Sequence, residues 1–549
     1  MEAEAGRHPG PAWRPWQRLL AVWVVLGGAL LRGFRVSQQL LLDDEWHALN
    51  AVQDHDYHWI FSHLGHADHS IPLTLLYEVL SRTIGLDELA MRLPSVAAGI
   101  ATLVLIPWLL RHWLKPGEQL LLLALLAISP LLVNYSRIAR PYALLSLFGA
   151  AALPLAWRWW QRQRPAPNAW AWYVCTVLGG WLNPVMLATT TAPFLWFLPS
   201  ALRTVRREAR YGPLIRVCGM AILMVSGLAL LLFVPLSVDW ASLAVKSGVH
   251  EATAGTALVA LGLFAGTGST PLALAMLAFA VLGWFELQRR DAAFARFLLL
   301  VAAAAATAVV LSGAEWIGHG IVLARYLIGL LPLFLALAAL GLFCSVEWAT
   351  HNAMPVGMIQ AMAGIGLASV LALSGPLLAQ DFHRSQFLHH MWWQFDYDAE
   401  RNPIRAALAD VRVPDFYRDI AAAHPDGDAL IVEAPWHLES NWNALPLYQR
   451  VHGQNVQVGF VGGLCAGDLY GELDRAVAGL EFRNFVWLQD LVAGSAQADY
   501  VVFRARALPG ARPIEMDAAA CATRLQEAWG EPWRSAEGIM VFRRDRASG

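Results

Sequence analysis

The sequence predicts a polytopic α-helical membrane protein with about eleven transmembrane helices, followed by a C-terminal α/β domain. The 549-residue chain is 57% hydrophobic and only 15% charged, with a mean hydropathy of +0.44. A soluble chain carries about 25% charged residues. Apolar runs of spanning length recur up to residue 376, and short strand-like runs follow. The net charge of −2 indicates no basic surface for nucleic acid.

Each predicted span is an apolar run of roughly 17–25 residues, because about 20 helical residues cross the hydrocarbon core. The spans are near residues 17–36, 92–113, 119–135, 141–157, 169–183, 184–202, 214–235, 270–288, 296–313, 324–343 and 355–376. The first is read as a retained anchor, since no small-residue cleavage site follows it. The stretch 253–266 is predicted to be an interfacial or half-buried helix.

Basic residues predict the orientation, because short loops rich in Arg and Lys stay in the cytoplasm. They precede the first span and follow the second, fourth, sixth and eighth, at Arg14, Arg18, Arg111, Lys115, Arg158, Arg162, Arg164, Arg203, Arg206, Arg207, Arg210, Arg289, Arg290 and Arg296. With the N-terminus inside, these loops share one side. An odd number of spans then places residues 377–549 outside, in the periplasm of a bacterial inner-membrane protein.

The predicted domains are therefore residues 1–376 in the membrane and residues 377–549 outside it. In the second domain ALIVEAP, VQVGF, FVWLQDL, YVVFRAR and GIMVFRR are predicted strands, and DFYRDIAAAH and CATRLQEAWG are predicted helices. Cys465 and Cys521 could pair in an oxidising compartment, although the sequence cannot decide it. WHLESNWNALPLYQR suits sugar stacking and hydrogen bonding, and equally suits ordinary surface and core.

Three consecutive carboxylates, Asp43, Asp44 and Glu45, open the long polar loop 37–91 after the first span. Charges at a membrane boundary are costly unless they are solvated or paired, so function is one reason to keep them. A positioned carboxylate can accept a proton from an attacking hydroxyl, or hold a metal or an ammonium group. The alternative is a solvated helix cap.

Six histidines lie in the same loop, namely His47, His55, His58, His63, His66 and His69. The last three recur every third residue, which is compatible with a shared face. Spacing alone does not establish metal ligation, because ligands must converge to about 2 Å from the ion. Polar contacts at the interface, or hydrogen bonds from His66 and His69 to a phosphate, are the preferred interpretation.

Arginines also occur on the predicted outer side. Arg137 and Arg140 lie in NYSRIARPYALL, and Arg325 follows His319 in EWIGHGIVLARYLIGLLP. A guanidinium binds phosphate through a planar fork of donors, while the alternative is a salt bridge to the loop-one acids. Acids and arginines on one face are what transfer from a phosphorylated lipid requires, with an acid activating a hydroxyl and arginines stabilising the departing phosphate.

Four elements in order, LLDDEWHALN, HADHSIPLTLLYEVLSRTIGLDELAMRLPS, SRIARPYALL and ARYLIGLLP, resemble those of GT-C glycosyltransferases across about residues 17–345. The branch resembled includes bacterial protein-mannosyltransferase-like and aminoarabinose-transferase-like enzymes of the family 39 type. The resemblance implies a polyprenyl-phosphate-linked sugar as donor, a periplasmic active site, and transfer with inversion to a hydroxyl on an envelope glycan, lipid or protein. It leaves the need for a divalent metal open.

The resemblance also assigns roles. Asp44 would be the base or the acid that orients the acceptor, with Glu45 in support and Asp43 beside them. Arg140 and Tyr142 match the family's Arg-Pro-Tyr element, and Arg325 and Tyr326 match its late Arg-Tyr element. The chain departs from many relatives at Ile138–Ala139, where an acid is missing, and at Ser70–Pro72, where paired prolines are missing.

Two other functions stay open on the sequence. A flippase for a lipid-linked intermediate would be expected to show internal repeats or charges at mid-membrane, whereas the informative charges cluster at one face. A non-catalytic scaffold would need residues 377–549 and tolerate loss of the loop-one acids.

Overall fold

The computed structural model describes residues 13–34, 36–37, 41, 45–65, 69–161, 167–248, 250–350, 356–375, 412–435, 444–466, 485–506 and 515–544. The chain divides into two compact units. The first comprises Met1–Gln39 and His47–Tyr397, and the second comprises Leu40–Trp46 and Asp398–Gly549.

Among the described residues of the first unit, the regular secondary structure consists of helices, and these overlap all eleven predicted spans. In chain order they are α1 (Pro15–Gly33), α2 (Glu45–Asp54, whose first residues belong to the second unit), α3 (Tyr57–Ser62), α4 (Ile71–Thr83), α5 (Glu88–Leu110), α6 (Pro116–Ile128), α7 (Pro130–Ser136), α8 (Tyr142–Gln161), α9 (Pro167–Leu182), α10 (Leu187–Thr190), α11 (Phe194–Glu208), α12 (Gly212–Val245), α13 (Ala254–Ala265), α14 (Thr270–Arg290), α15 (Ala292–Leu311), α16 (Gly320–Tyr326), α17 (Leu331–Ala349) and α18 (Val356–Ser374). Short 3₁₀ helices lie at Pro184–Met186 and Ile328–Leu330.

Among the described residues, six helices are long and apolar enough to cross a membrane, or up to eight if each of two bent pairs is one span. The bends are 56° between α6 and α7 and 41° between Pro184–Thr190 and Phe194–Glu208. Proline explains the first, because Pro130 cannot continue the α6 hydrogen-bond ladder. The chain is a multi-pass membrane protein, and the number eleven stays a prediction.

Glycines bring two membrane helices into close contact. A Cβ on Gly283 of α14 would collide with the Leu337 carbonyl of α17, and one on Gly341 would collide with the Phe279 carbonyl. Small residues at such crossings allow backbones to approach, which is how membrane helices gain packing energy.

An ion-pair network ties α6 to α14. Arg290 donates to both carboxylate oxygens of Glu118, at 2.8 and 2.7 Å, and its Nε lies 3.1 Å from Glu286. The Glu118 side chain is 2% exposed, so this bidentate pair satisfies a charge that would be expensive to bury alone.

The second unit contains a six-stranded sheet in the order β3-β2-β1-β4-β6-β5. Its elements are α19 (Asp415–Ala423), β1 (Leu430–Ala434), α20 (Leu445–His452), β2 (Asn455–Phe460), β3 (Phe485–Trp487), α21 (Leu488–Val492), β4 (Tyr500–Arg504), α22 (Ala518–Trp529), β5 (Arg534–Ala536) and β6 (Ile539–Arg543). Strands β1 to β4 pair in parallel, and β6 runs antiparallel to β4 and β5. Four of the five predicted strands and both predicted helices are confirmed. The fifth predicted strand, FVWLQDL, is wrong in its second half, because only Phe485–Trp487 is strand and Leu488–Val492 is helix.

One face of this sheet packs against α21 and α22 in a closed apolar core that includes Val432, Val501 and Phe503. Cys465 and Cys521 form a disulfide in this core, with their Cα atoms 5.2 Å apart. The sequence left this pairing undecided, because residues 56 positions apart meet only when the sheet has formed.

Candidate functional site

Two arginines and two tyrosines from distant parts of the chain meet at one end of the helical unit. The guanidinium carbon of Arg325 lies 5.4 Å from the centre of the Tyr142 ring and 5.5 Å from that of Tyr326. The guanidinium carbon of Arg140 lies 6.0 Å from the Tyr142 ring centre. These four residues, here named the Arg–Tyr cluster, unite the Arg-Pro-Tyr and late Arg-Tyr elements.

Local backbone geometry positions the first half of this cluster. The chain turns between α7 and α8, where Arg140 N donates to the Ile138 carbonyl at 2.8 Å. Ser95 of α5 donates its hydroxyl to the Arg140 carbonyl at 2.9 Å, and both residues are buried. Pro141 then precedes α8, whose first residue is Tyr142.

A glycine contact positions the second half. Arg325 and Tyr326 end the short helix α16, and Gly329 follows in the 3₁₀ turn. A Cβ on Gly149 of α8 would lie 2.6 Å from the Gly329 Cα. Gly149 is seven residues, about two helical turns, beyond Tyr142 and therefore on the same face of α8. The contact fixes α8 against the Arg-Tyr segment.

The chemistry of the Arg–Tyr cluster suits an anion. Both guanidinium carbons lie within about 6 Å of a ring centre, the range of cation–π attraction. Stacking over a ring face uses the flat face of the guanidinium, whereas phosphate is recognised by its N–H edge.

Arg137 has a different environment from Arg140. It is 2% exposed, and its Nη1 donates to the carbonyls of Leu31, Arg32 and Phe34 at 3.2, 3.2 and 2.8 Å. These carbonyls belong to the last turn of α1, which has no further intrahelical donors. Arg137 therefore closes the end of α1, a contact that accounts for a basic residue on the predicted outer side.

Two more buried arginines at this end were missed by the sequence analysis. Arg92 donates to the Val36 carbonyl at 2.9 Å. Arg32 donates to the carbonyl of Gly28 in its own helix and to those of Leu126 and Ala127 at the end of α6. Both arginines lie at the predicted outer ends of spans, where the positive-inside pattern disfavours basic residues. Their departure from that pattern is the sequence signal that could have identified them.

Of the three loop-one acids, Glu45 alone lies within the described residues; Asp43 and Asp44 lie outside them. Glu45 begins α2 and is 1% exposed. An acid in the first turn of a helix is favoured by the N–H groups there.

Three of the six loop-one histidines lie around Trp59. The His55 and His63 rings stack on Trp59, with centroids 3.4 and 4.5 Å from it, and the buried His69 ring lies 6.0 Å away. Helix α3 ends at Ser62, so the three-residue spacing does not continue a helical face. His66 lies outside the described residues.

Two acids fix this segment. The Asp56 side chain accepts from Trp59 N and caps α3, and this hydrogen bond lowers the Asp56 pKa. Leu64 N and Gly65 N donate to Asp239 Oδ2 of α12, at 2.5 and 3.2 Å. Asp239 was also missed, and its non-helical backbone inside α12 has no sequence signal.

His319 precedes α16 and belongs to a second aromatic group. Its ring lies 5.6 Å from that of Trp316, which stacks on His250 at 5.6 Å. Trp316 has a φ of +64°, rare for a bulky residue, and its N–H donates to His250 Nδ1 at 3.2 Å.

Within the part of the chain that the structure describes, no three His, Cys, Asp or Glu side chains are placed to hold a metal ion.

The α/β unit carries a buried polar group on its other sheet face. Glu433 of β1 pairs with Arg504 of β4, and Tyr417 donates its hydroxyl to Glu433 at 2.6 Å. Burial raises the Tyr417 pKa and lowers that of the neighbouring His452 to about 4. Of the aromatic and amide segment noted in the sequence, residues 436–443 lie outside the described residues, and Tyr448 is buried against Tyr417.

No family model and no curated protein matches the chain. Solved structures do match it over nearly its whole length. ArnT from Cupriavidus metallidurans bound to undecaprenyl phosphate aligns with a TM-score of 0.56 and 11% identity, over 98% of this chain and 99% of that one. The same protein in the apo state aligns with a TM-score of 0.54 and 10% identity, over 96% and 97%. The fold is therefore GT-C-like.

Proposed function

We propose that the protein is a membrane glycosyltransferase that moves a sugar from a polyprenyl-phosphate donor to a hydroxyl acceptor outside the cytoplasm. The Arg–Tyr cluster carries this proposal. It brings two guanidinium groups from distant parts of the chain to one tyrosine ring, at one end of a GT-C-like helical unit, and guanidinium groups are suited to binding phosphate. That a neighbour of the same fold was solved with undecaprenyl phosphate supports the class of donor.

In the proposed reaction, the acceptor oxygen attacks the anomeric carbon and the bond from that carbon to the phosphate oxygen breaks. The polyprenyl phosphate leaves with the bonding electrons, and the configuration inverts. Asp44 takes the acceptor proton with support from Glu45, and Arg140 and Arg325 stabilise charge on the leaving phosphate. Tyr142 and Tyr326 hold the guanidinium planes, while His66, His69, His319 and Asp43 line the substrate region.

The structural contacts of Arg137 change its proposed part. Its Nη1 is committed to carbonyls of α1, so we propose that it positions the segment leading to the loop-one acids. In this scheme Arg140 and Arg325 supply positive charge at the departing phosphate.

The disulfide supports the proposed orientation. Cys465 and Cys521 pair in the α/β unit, and disulfides persist in oxidising compartments such as the periplasm. This agrees with an N-terminus inside and residues 377–549 outside, where the α/β unit would meet the acceptor of an envelope glycan, lipid or protein.

The test combines a gene deletion with point variants. Mass spectrometry of surface glycans, with and without the gene, should reveal one missing sugar and the molecule that carries it. Complementation with Arg325→Ala or Asp44→Asn should leave that mass missing, because losing one group that stabilises transition-state charge costs on the order of 10²–10³-fold in rate. Arg207→Ala removes an exposed arginine in the last turn of α11 and should complement fully.

Other outcomes point elsewhere. Full complementation by both variants would contradict the proposal. Translocation of a lipid-linked sugar in reconstituted vesicles without covalent transfer would identify a flippase. Loss of function only on deletion of residues 377–549 would identify a scaffold.

A further inference from the structure

A groove lies at the other end of the helical unit, between α1, α5 and the start of α6. It has a volume of about 430 Å³, within the range of about 300–1,000 Å³ for ligand pockets. Apolar side chains line its length, among them Ala21, Val25, Val104 and Leu123, and Arg111 and His112 lie at one end.

The basic end of the groove lies far from the Arg–Tyr cluster along α5. Helix α5 spans both sites, with Ser95 bonded to the Arg140 carbonyl near its start and Arg111 directly after its last residue. The 16 residues from Ser95 to Arg111 cover about 24 Å of helix at ~1.5 Å per residue, most of a hydrocarbon core of about 30 Å. Arg111 therefore lies near the opposite membrane face.

The basic end of the groove has a fixed geometry. The Arg111 guanidinium carbon lies 4.3 Å from the centre of the exposed Trp108 ring, and its Nη1 donates to the Trp108 carbonyl at 3.1 Å. Tryptophan and arginine at a helix end are typical of the headgroup level of a bilayer. The arginine thus stands where a lipid phosphate lies, above walls that suit an acyl chain.

We propose that this groove binds an anionic phospholipid from the leaflet opposite the Arg–Tyr cluster. The charge of Arg111 selects the anionic headgroup, as basic pockets between membrane helices do. The polyprenyl donor is the less suitable occupant, because the two arginines of the proposed reaction lie at the far end of α5. This inference is independent of the proposed transfer reaction.

Native mass spectrometry of the full chain, released from nanodiscs, tests the proposal. Phosphatidylglycerol should stay bound through mild delipidation, and phosphatidylethanolamine should not. Arg111→Gln should weaken phosphatidylglycerol binding about fivefold, since one basic residue near an anionic surface contributes roughly a fivefold change. Val104→Trp should also weaken it by filling the groove. Arg207→Gln, an exposed arginine outside the groove, should change nothing.

Three results would overturn the inference. These are equal retention of the two phospholipids, wild-type retention by both groove variants, and displacement of phosphatidylglycerol by undecaprenyl phosphate in a way that depends on Arg111. The last result would make the polyprenyl lipid the occupant. None of these measurements depends on enzyme activity. A negative result for lipid binding therefore does not contradict the proposed transfer reaction, and absence of sugar transfer does not contradict lipid binding in the groove.

Discussion

A single methyl group at Gly149 should separate the two halves of the Arg–Tyr cluster. Gly149 of α8 faces Gly329, four residues beyond Arg325, and a Cβ there would lie 2.6 Å from the Gly329 Cα and 3.0 Å from Met186 Sδ. The nearest obstacle is backbone, which cannot rotate away as a flexible side chain can. The substitution Gly149→Ala must therefore move α8 away from the 3₁₀ turn.

The required movement follows from the contact distance. Ordinary van der Waals contact begins at 3.4 Å, so the helices must separate by roughly 0.8 Å, which is 3.4 minus 2.6. Overpacking of this kind costs about 1–3 kcal/mol. Misplacement of a binding group by about 1 Å can cost on the order of 10²-fold. We expect undecaprenyl phosphate to bind Gly149→Ala about 10- to 100-fold more weakly.

The assay is a titration with undecaprenyl phosphate in nanodiscs, with thermal unfolding measured in parallel. Gly219→Ala is the matched control, because a Cβ added at Gly219 of α12 would have no atom within 4 Å. It should bind within about twofold of the wild type, while sharing any gain in helix propensity. Wild-type affinity of a folded Gly149→Ala would refute the reasoning, since the cluster would then not depend on this contact.

Three further predictions concern stability. Gly341→Leu should abolish the monodisperse peak in size-exclusion chromatography, because the new side chain would collide with the Phe279 carbonyl. The control Gly366→Leu on α18 should keep that peak, because a Cβ there has no atom within 4 Å. Arg137→Gln should destabilise the helical unit by about 1.5–3 kcal/mol in thermal unfolding, the range for hydrogen bonds to a charged group; an unchanged transition would contradict the end-of-helix role. The buried His452 has a pKa of about 4 in the fold, whereas an unfolded histidine gains a proton below pH about 6.5. As the pH falls from 6.5 to 4, the free energy of unfolding of the α/β unit should therefore decrease by about 1.4 kcal/mol per pH unit. Hydrogen exchange measures this free energy, and a value that does not change with pH would refute the prediction.

The sequence predicted elements well where one signal dominates. Four strand-like runs are β1, β2, β4 and β6, because alternating or continuous apolar runs of that length have few other structures. In the fifth run only Phe485–Trp487 is strand, and the rest begins α21. The sequence missed β5, whose three residues are exposed and lack any such pattern. Sheet order and the Cys465–Cys521 pair depend on contacts between distant residues, which no local pattern specifies.

The candidate site shows the same limit. The Arg-Pro-Tyr and Arg-Tyr elements were singled out from the sequence, but only the structure brings Tyr142 within reach of Arg325. Asp239 was invisible, because its partners are backbone amides on another segment. The histidine spacing suggested a shared face, yet α3 ends before His63, and the rings collect around Trp59 through a bend in the chain.

The arginines that break the positive-inside pattern fall into two groups by what they touch. Arg32, Arg92 and Arg137 donate to backbone carbonyls at or beside helix ends, so they place positive charge at the negative ends of helix dipoles. Arg140 and Arg325 instead lie over tyrosine rings. A contact with an aromatic ring uses the flat face of a guanidinium, whereas a carbonyl or a phosphate is bound through its N–H edge. An arginine at this end of a membrane helix is thus better evidence for a substrate anion when it lies over aromatic rings than when its hydrogen bonds close a helix end, and this criterion favours Arg140 and Arg325.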